Sequence, residues 1–410
     1  MLPTFIIKDR LIFAFILALI SFFTCFALTK VILFLSHKFN VLDLPEKRRV
    51  HTQPTPRLGG IAFIGASFLN IAFLFHFKPA FYQVVKDTPS FLAIFIGLTL
   101  TFLLGMVDDL NNLKAKHKLF FQIAIACVVF ILGFKVRFIA LSASYTIDLG
   151  YLSLPITIIF LVGLQNAFNF IDGIDGLAGG VAWITLASIA ILAFFISLPI
   201  LGWLSLILIA SLSAFLVFNW SPAKIFMGDS GSLSLGFTLA CFSQFPGSQQ
   251  NVPYPIYVVF LFLSLPILDT GIALSRRAIK HLDSFHFQPH TLKQSWSFIK
   301  QLFKKIMKPD GDHIHHRLLR HYLSHKKVAI TCYKLAFFGS LCACLCTQAP
   351  TFIAWLITLS YCFFVFQFLI SLEYDAFQSR KHRHALQEAE WQKALQSFDT
   401  SDSSDSSDFF

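Results

Sequence analysis

Charge is what this chain has little of: Asp, Glu, Lys and Arg make up 13% of its 410 residues, against 56% for the apolar set, and mean hydropathy is +0.67. So little charge cannot cover so much apolar surface in water, which excludes a soluble enzyme, a nucleic-acid-binding module and a secreted scaffold. Cysteine is missing from the polar loops. All eight (Cys25, Cys127, Cys241, Cys332, Cys342, Cys344, Cys346 and Cys362) fall in apolar runs and read as small hydrophobes, not as a disulfide framework. The alternate spacing of Cys342, Cys344 and Cys346 spreads them over different faces of a helix, so they do not form a metal site. A cleavable leader is not evident either, because the first apolar run, about residues 11 to 36, is too long and no small-residue cleavage site follows it. No repeat at a fixed period is visible.

Long apolar runs are abundant, each near the length that crosses a hydrocarbon core of about 30 Å. The fold class expected is therefore an all-α, polytopic helical membrane protein. Eleven spans are predicted, at about residues 11–36, 58–77, 91–107, 119–134, 152–170, 181–198, 200–220, 233–245, 255–274, 328–347 and 351–372. The loops then fall into two alternating sets, one holding 25 of the 33 Lys and Arg and the other 6. Basic loops stay in the cytoplasm, which predicts an outer N-terminus and a cytoplasmic C-terminus. This also gives the net charge of +11 a membrane explanation. Residues 1–372 form the integral membrane domain and 373–410 a polar tail that ends in a Ser/Asp run too polar to fold. Within the basic loop at 275–327, Leu292, Trp296, Ile299, Phe303 and Ile306 recur at helical spacing among lysines, so 284–306 is expected to lie as an amphipathic helix on an anionic leaflet.

A carboxylate near hydrocarbon costs roughly 2.5–3.5 kcal/mol on insertion scales, so membrane chains keep one there for pairing or for function. Six acids sit at or beside span ends: Asp108, Asp109, Asp172, Asp175, Asp229 and Asp269. All six fall on the side assigned to the cytoplasm, which points to one acidic site at the inner membrane surface. Asp108 and Asp109 are adjacent and need a divalent cation or a lysine to offset their repulsion. Asn166, Asn169 and Asp172 follow one another at i, i+3 and i+6 on a helix face, before Gly173, Asp175 and Gly176. Asp229 lies among small residues, where backbone N–H groups can approach a phosphate.

The cationic complement is His313, His315, His316 and Arg317 in the basic loop, with Lys118 and Lys224 on the same side. Imidazoles and a guanidinium beside carboxylates suit a multiply charged phosphate ester near a hard metal. Oxygen ligands favour Mg²⁺ or Mn²⁺ over zinc.

At these residues the chain resembles the polyprenyl-phosphate N-acetylhexosamine-1-phosphate transferases, and most closely their bacterial branch acting on undecaprenyl phosphate and UDP-GlcNAc. The resemblance covers about residues 40–325. It consists of ordered motifs: Pro54-Thr-Pro-Arg57-Leu-Gly-Gly60, Asp108-Asp109 with Lys118-Leu-x-x-Gln122, Asn166 to Gly180, Asn219 to Gly236, and His313 to Leu318. It implies a multi-pass protein of the bacterial inner membrane in which a lipid phosphate attacks the sugar-linked phosphate of a UDP-sugar and releases UMP. It further implies Asp229 as the principal magnesium ligand, Asp109 as a second acidic metal-site residue and Asp108 as the base that activates the lipid phosphate. Lys118, Asn166, Asn169, Asn219, His313, His315, His316 and Arg317 would grip nucleotide and phosphates, and Asp172 and Asp175 would lie on the nucleotide side. Partners are the UDP-sugar, undecaprenyl phosphate and membrane lipid, with homodimerisation left open and nucleic acid excluded. Two departures from the family pattern stand out. Gly311 occupies a position usually held by Arg, so one phosphate contact is lost or supplied by Arg317 or Arg320, and the stretch from Arg277 to Pro309 is longer than usual. The alternatives are the phospho-MurNAc-pentapeptide transferases and, in a different class, a secondary transporter, whose acids would sit near the bilayer midplane.

Overall fold

The computed structural model describes residues 4–43, 54–142, 145–249, 255–282, 313–322 and 324–371. The expected amphipathic helix at 284–306, Gly311 and the tail from 373 lie outside the described residues. The chain divides into two compact units, Met1–Thr358 and Leu359–Phe410.

The described residues are helical almost throughout, in the order α1 Thr4–Lys38, α2 Gly59–Phe77, α3 Pro79–Asp87, α4 Pro89–Asn111, α5 Ala115–Ile131, α6 Ser153–Ile171, α7 Leu177–Phe195, α8 Pro199–Asn219, α9 Gly228–Gln249, α10 Ile256–Phe262, α11 Ser264–Leu282, α12 Ile314–Tyr322, α13 His325–Cys346 and α14 Thr351–Ser371. Two short antiparallel pairs complete them, Leu42–Asp43 with Thr55–Pro56, and Phe138–Ala140 with Thr146–Asp148. Proline supplies several helix starts: Pro79, Pro89 and Pro199 open α3, α4 and α8, where a missing N–H leaves no bond unmade. At the other end of α4 the chain turns out through Asn112 in the left-handed region, φ 48°.

Among the described residues, eight helices are long and apolar enough to cross a membrane, nine if α10 and α11 count as one broken span. The protein is thus a multi-pass membrane protein, but the expected eleven spans are not reached by length and apolarity, and three runs account for the difference. The run at 119–134 is α5, only 17 residues long. The run at 255–274 is not one straight helix: α10 and α11 meet at an 89° bend. Pro266, in the first turn of α11, cannot donate back to Phe262 and its ring clashes there, which breaks the helix. The run at 233–245 belongs to the longer α9, whose described side chains from Ser230 to Phe245 are all buried. This helix sits at the centre, packed against α4, α6, α2 and α7. A helix shielded from lipid has no need of large apolar side chains and gains from small ones that let backbones approach. Its Ser, Gly and Thr content follows from that position, and some of its hydroxyls bond back to the helix, as Thr238 Oγ1 does to the Ser234 carbonyl at 2.7 Å. The start of α9 thereby meets the start of α2, the end of α4 and the end of α6 at one end of the bundle.

Candidate active site

The first turn of α9 leaves N–H groups without intrahelical partners. They are taken up by another helix. Asp109, in the last turn of α4, accepts the Asp229 N–H at 2.7 Å on Oδ1, and the Ser230 N–H at 2.9 Å and Ser230 hydroxyl at 2.6 Å on Oδ2. A carboxylate at a helix N-terminus is favoured by both the hydrogen bonds and the dipole. The approach requires Gly228, at φ +70°: a Cβ there would stand 2.1 Å from the Arg57 carbonyl and 2.7 Å from the Asp109 carboxylate. A strap from Pro56 to Gly60 is bonded to Phe226 and Met227 through Phe226 N to Pro56 O at 2.7 Å, Gly59 N to Phe226 O at 2.9 Å and Gly60 N to Met227 O at 2.7 Å. It brings the Arg57 guanidinium to 3.4 Å from Asp109 and 4.0 Å from Asp229, while Arg57 also donates to Asn112 at 3.1 Å.

The same turn projects Asp229 toward Lys118, in the first turn of α5. The Lys118 ammonium donates to Asp229 Oδ2 and, at 3.2 Å, to Asp108 Oδ2, so one cation bridges two carboxylates. Asp108 Oδ1 is held by the Leu113 N–H at 2.6 Å. On the far side of Asp229, Asn169 Nδ2 donates to Oδ1 at 2.9 Å and to the Ser232 hydroxyl at 2.9 Å. One turn deeper, Asn166 donates to Gln122 at 3.1 Å and Gln122 to Gln165 at 3.3 Å, which extends the polar column between α5 and α6. Asp108, Asp109, Asp229, Lys118 and Asn169 therefore form one connected group, and Asn166 lies one turn below it on Gln122.

Asp172 and Asp175 lie on the loop that follows α6. Desolvation, reinforced by Asp109 and Asp175 against the pull of Arg57, holds the Asp172 carboxyl well above the usual carboxylate range. Asp175 goes the other way. Burial pushes it up, but the nearby His325 ring, the Ala223 N–H and Ser221 outweigh that and leave it lowered. Those contacts tie the loop to residues 221–223 and, at 3.7 Å, to His325 at the start of α13. Asn219 serves the same clamp: its amide accepts the Gly176 N–H at 3.1 Å and donates to the Ile225 carbonyl at 2.8 Å, which engages both ends of a side chain expected to grip substrate. Tyr333 adds a hydrogen bond to the Gly176 carbonyl at 2.6 Å.

The histidine motif packs beside this loop. His313 and His315 are buried, while His316 and Arg317 are half-buried. The rings of His313 and His315 stack at 5.8 Å with an 11° tilt, and those of His315 and His316 meet at 4.3 Å. His315 is 2% exposed and rests on Gly173, where a Cβ would come 2.8 Å from its Nε2. Burial pushes its pKa down to about 3, against the pull of Asp269, so the ring is neutral, and neither ring nitrogen has a hydrogen-bond partner among the described residues.

Among the described residues, no three His, Cys, Asp or Glu side chains converge as a ready-made metal cage. Asp109, expected as a ligand, already commits both oxygens to the start of α9. Asp108 and Asp229, which share Lys118, are the convergent pair. Sequence reasoning gave no role to Arg57, although it lies inside a quoted motif, nor to Asp269, although it is one of the six acids. His325, Tyr333, Ser230, Ser232 and Asn112 carried no signal, because an isolated polar residue at a helix end looks like any cap.

Residues 91–245, which run from α4 to α9, match glycosyl transferase family 4. A probable undecaprenyl-phosphate N-acetylglucosaminyl 1-phosphate transferase of Bacillus subtilis is 32% identical over 350 residues, covering 85% of this chain and 89% of its own. The decaprenyl-phosphate N-acetylglucosaminephosphotransferase of Mycolicibacterium smegmatis is 31% identical over 73% of each chain. A phospho-N-acetylmuramoyl-pentapeptide-transferase of Staphylococcus haemolyticus is 34% identical over a shorter stretch, 56% of this chain and 75% of its own.

Proposed function

The chain belongs to glycosyl transferase family 4 as a multi-pass membrane phosphoglycosyltransferase, and on that premise we propose that it transfers GlcNAc-1-phosphate from UDP-GlcNAc to undecaprenyl phosphate. UMP is released, and the product initiates a lipid-linked polysaccharide on the cytoplasmic face of a bacterial inner membrane. The observation that carries the reading is the single Lys118 ammonium bridging Asp108 and Asp229, backed by Arg57 and Asp109. Two acids and a movable cation at the end of a bundle suit phosphate chemistry at a membrane surface. A transporter's acids would lie near the midplane.

In the proposed reaction an oxygen of the lipid phosphate attacks the sugar-bearing phosphorus of the UDP-sugar. The bond from that phosphorus to the bridging oxygen breaks, and UMP leaves with the oxygen. Asp108, its carboxylate fixed by Leu113, takes the proton of a singly protonated lipid phosphate. Lys118 turns from the carboxylates to the incoming phosphates, and Arg57 stays with Asp109 to offset the acids. Asn169 keeps Asp229 oriented. Phosphoryl transfer needs mainly positioning and charge stabilisation, so direct attack suffices without a covalent intermediate. The donor set fits Mg²⁺ or Mn²⁺: such a cation usually takes one or two carboxylates, here Asp229, and completes its shell with waters and substrate phosphates. When bound it would polarise the phosphoryl oxygens. Asp109 then acts by fixing the Asp229 backbone. His313, His315, His316, Arg317, Asp172 and Asp175 form the nucleotide side, and a second copy of the chain is not required.

The sugar is decided by incubating purified protein with Mg²⁺, undecaprenyl phosphate and, separately, UDP-GlcNAc, UDP-GalNAc and UDP-MurNAc-pentapeptide. UMP release is expected chiefly with UDP-GlcNAc, because a site that hydrogen-bonds one hydroxyl discriminates strongly against its epimer. Preferential turnover of the pentapeptide substrate would move the chain to the other branch of its relatives. No UMP with any of the three would revive the transporter. For the orientation, single cysteines at Ala80 on α3 and Lys116 on α5, both exposed, should be labelled from opposite sides of intact cells, with residue 116 reached only after permeabilisation. Labelling of both from outside would reverse or break the assigned topology.

A further inference from the structure

Asp269 is 1% exposed in α11, outside the Asp108–Asp109–Asp229 group, and the reaction described above leaves it without a role. A carboxylate so placed needs partners, and it has two. Its Oδ2 lies 2.7 Å from His313 Nδ1, and its Oδ1 accepts the Ile314 N–H at 2.5 Å. The second bond caps α12. The first fixes the direction of the His313 ring, since a carboxylate beside Nδ1 takes an N–H from it and turns Nε2 the other way. The ring is also fixed in place, with Phe170 at 5.2 Å on one side and His315 stacked parallel to it. Phe170 follows Asn169, the donor to Asp229, and precedes the acidic loop by one residue. The histidine is therefore held against the segment that joins the carboxylate group to the nucleotide side.

We propose that Asp269 is a positioning residue for the transfer reaction: it orients His313 and accepts its Nδ1–H, and with the diphosphate bound it supports the doubly protonated ring whose Nε2–H donates to a phosphate oxygen of the nucleotide-sugar. The inference rests on the proposed reaction and reaches past it to a residue that touches no substrate. A purely structural Asp269 would act as a cap, and asparagine caps a helix as well as aspartate does. Asp269→Asn preserves the cap and reverses the bond to His313, so the two roles separate in one variant.

The test uses full-length protein in detergent, with UMP release from UDP-GlcNAc and undecaprenyl phosphate as readout. Asp269→Asn is expected to lower kcat by roughly 10- to 100-fold, the usual range for losing a carboxylate behind a working histidine, with KM for undecaprenyl phosphate and the thermal midpoint unchanged. In a His313→Ala background the same substitution should cost nothing further, because a residue that acts through another is silent once that one is gone. Asp269→Glu, which keeps the charge, should retain more turnover than Asp269→Asn whatever the stability of either. Wild-type turnover by Asp269→Asn, an equal fold-loss in the His313→Ala background, or the reverse order of the Glu and Asn variants would each overturn the proposal. Failure of the wild-type protein to release UMP would instead overturn the reaction itself.

Discussion

Asp229→Asn is expected to leave a folded protein whose UMP release falls roughly a thousandfold, the size of effect seen when one charge-stabilising group is removed from a preorganised site. The asparagine is isosteric. It still accepts from Lys118 on its oxygen and loses the bond from Asn169, whose donor then faces an NH₂, but the Asp229 and Ser230 N–H groups stay on Asp109, so the first turn of α9 has no reason to unwind. What disappears is a full negative charge at the point where Lys118 and Arg57 converge. In the proposed reaction that charge balances the two cations and would supply the principal ligand for a divalent ion. Asp108→Asn should behave similarly, because its Oδ1 continues to accept from Leu113 while the proposed base is lost. Thermal midpoints in detergent, measured beside UMP release, separate chemistry from folding. Near-normal release by the Asp229→Asn variant would remove Asp229 from the mechanism.

The carboxylate group was legible because hydrocarbon makes acids expensive, so Asp108, Asp109 and Asp229 stood out against their apolar surroundings and the connectivity put them at one end of the bundle. Their division of labour was not legible. Which of two adjacent aspartates caps α9 and which faces Lys118 depends on the rotation of α4 about its axis, and a sequence pattern does not set that angle to the needed precision. Asn219 illustrates the same limit, since an amide beside a phosphate-type loop can serve substrate or loop, and here both its ends hold the loop. The helices were read well where they face lipid and poorly where they do not. The central α9, with its small and hydroxylic residues, appeared as a 13-residue run because hydropathy measures exposure to lipid, and α9 has none. The 89° bend after Leu263 had a visible cause in Pro266 but no visible direction. Arg57 reaches Asp109 only because a strap is bonded to Phe226 and Met227, a pairing across more than 160 residues that no local pattern encodes.

Gly105→Ala and Gly60→Ala are expected to cost more than 100-fold in turnover although neither glycine touches a substrate. The first turn of α9 is pinched between two helices. A Cβ on Gly105 would lie 2.5 Å from the Asp229 carbonyl oxygen and from Ser230 Cα, and one on Gly60 would lie 2.1 Å from the Gly231 nitrogen and 2.6 Å from its Cα. Each contact is with backbone, which cannot swing aside as a side chain does, so α4 or α2 must retreat by about 1 Å to regain ordinary packing distance. A shift of that size stretches the bonds by which Asp109 holds Asp229 and Ser230, now 2.7 and 2.9 Å, past useful length. It also displaces Asp229 from Lys118, and a misplacement of about 1 Å in a reacting constellation can cost about 100-fold. Gly65 on α2 and Gly163 on α6 supply the control: nothing lies within 4 Å of a Cβ at either position, so alanine there should leave turnover unchanged and favour the helix by up to about 1 kcal/mol. UMP release and thermal midpoints of the four variants test the argument together. Wild-type turnover by Gly105→Ala, or equal losses in all four, would mean that the close approach of α4 and α2 to α9 does not set the position of Asp229.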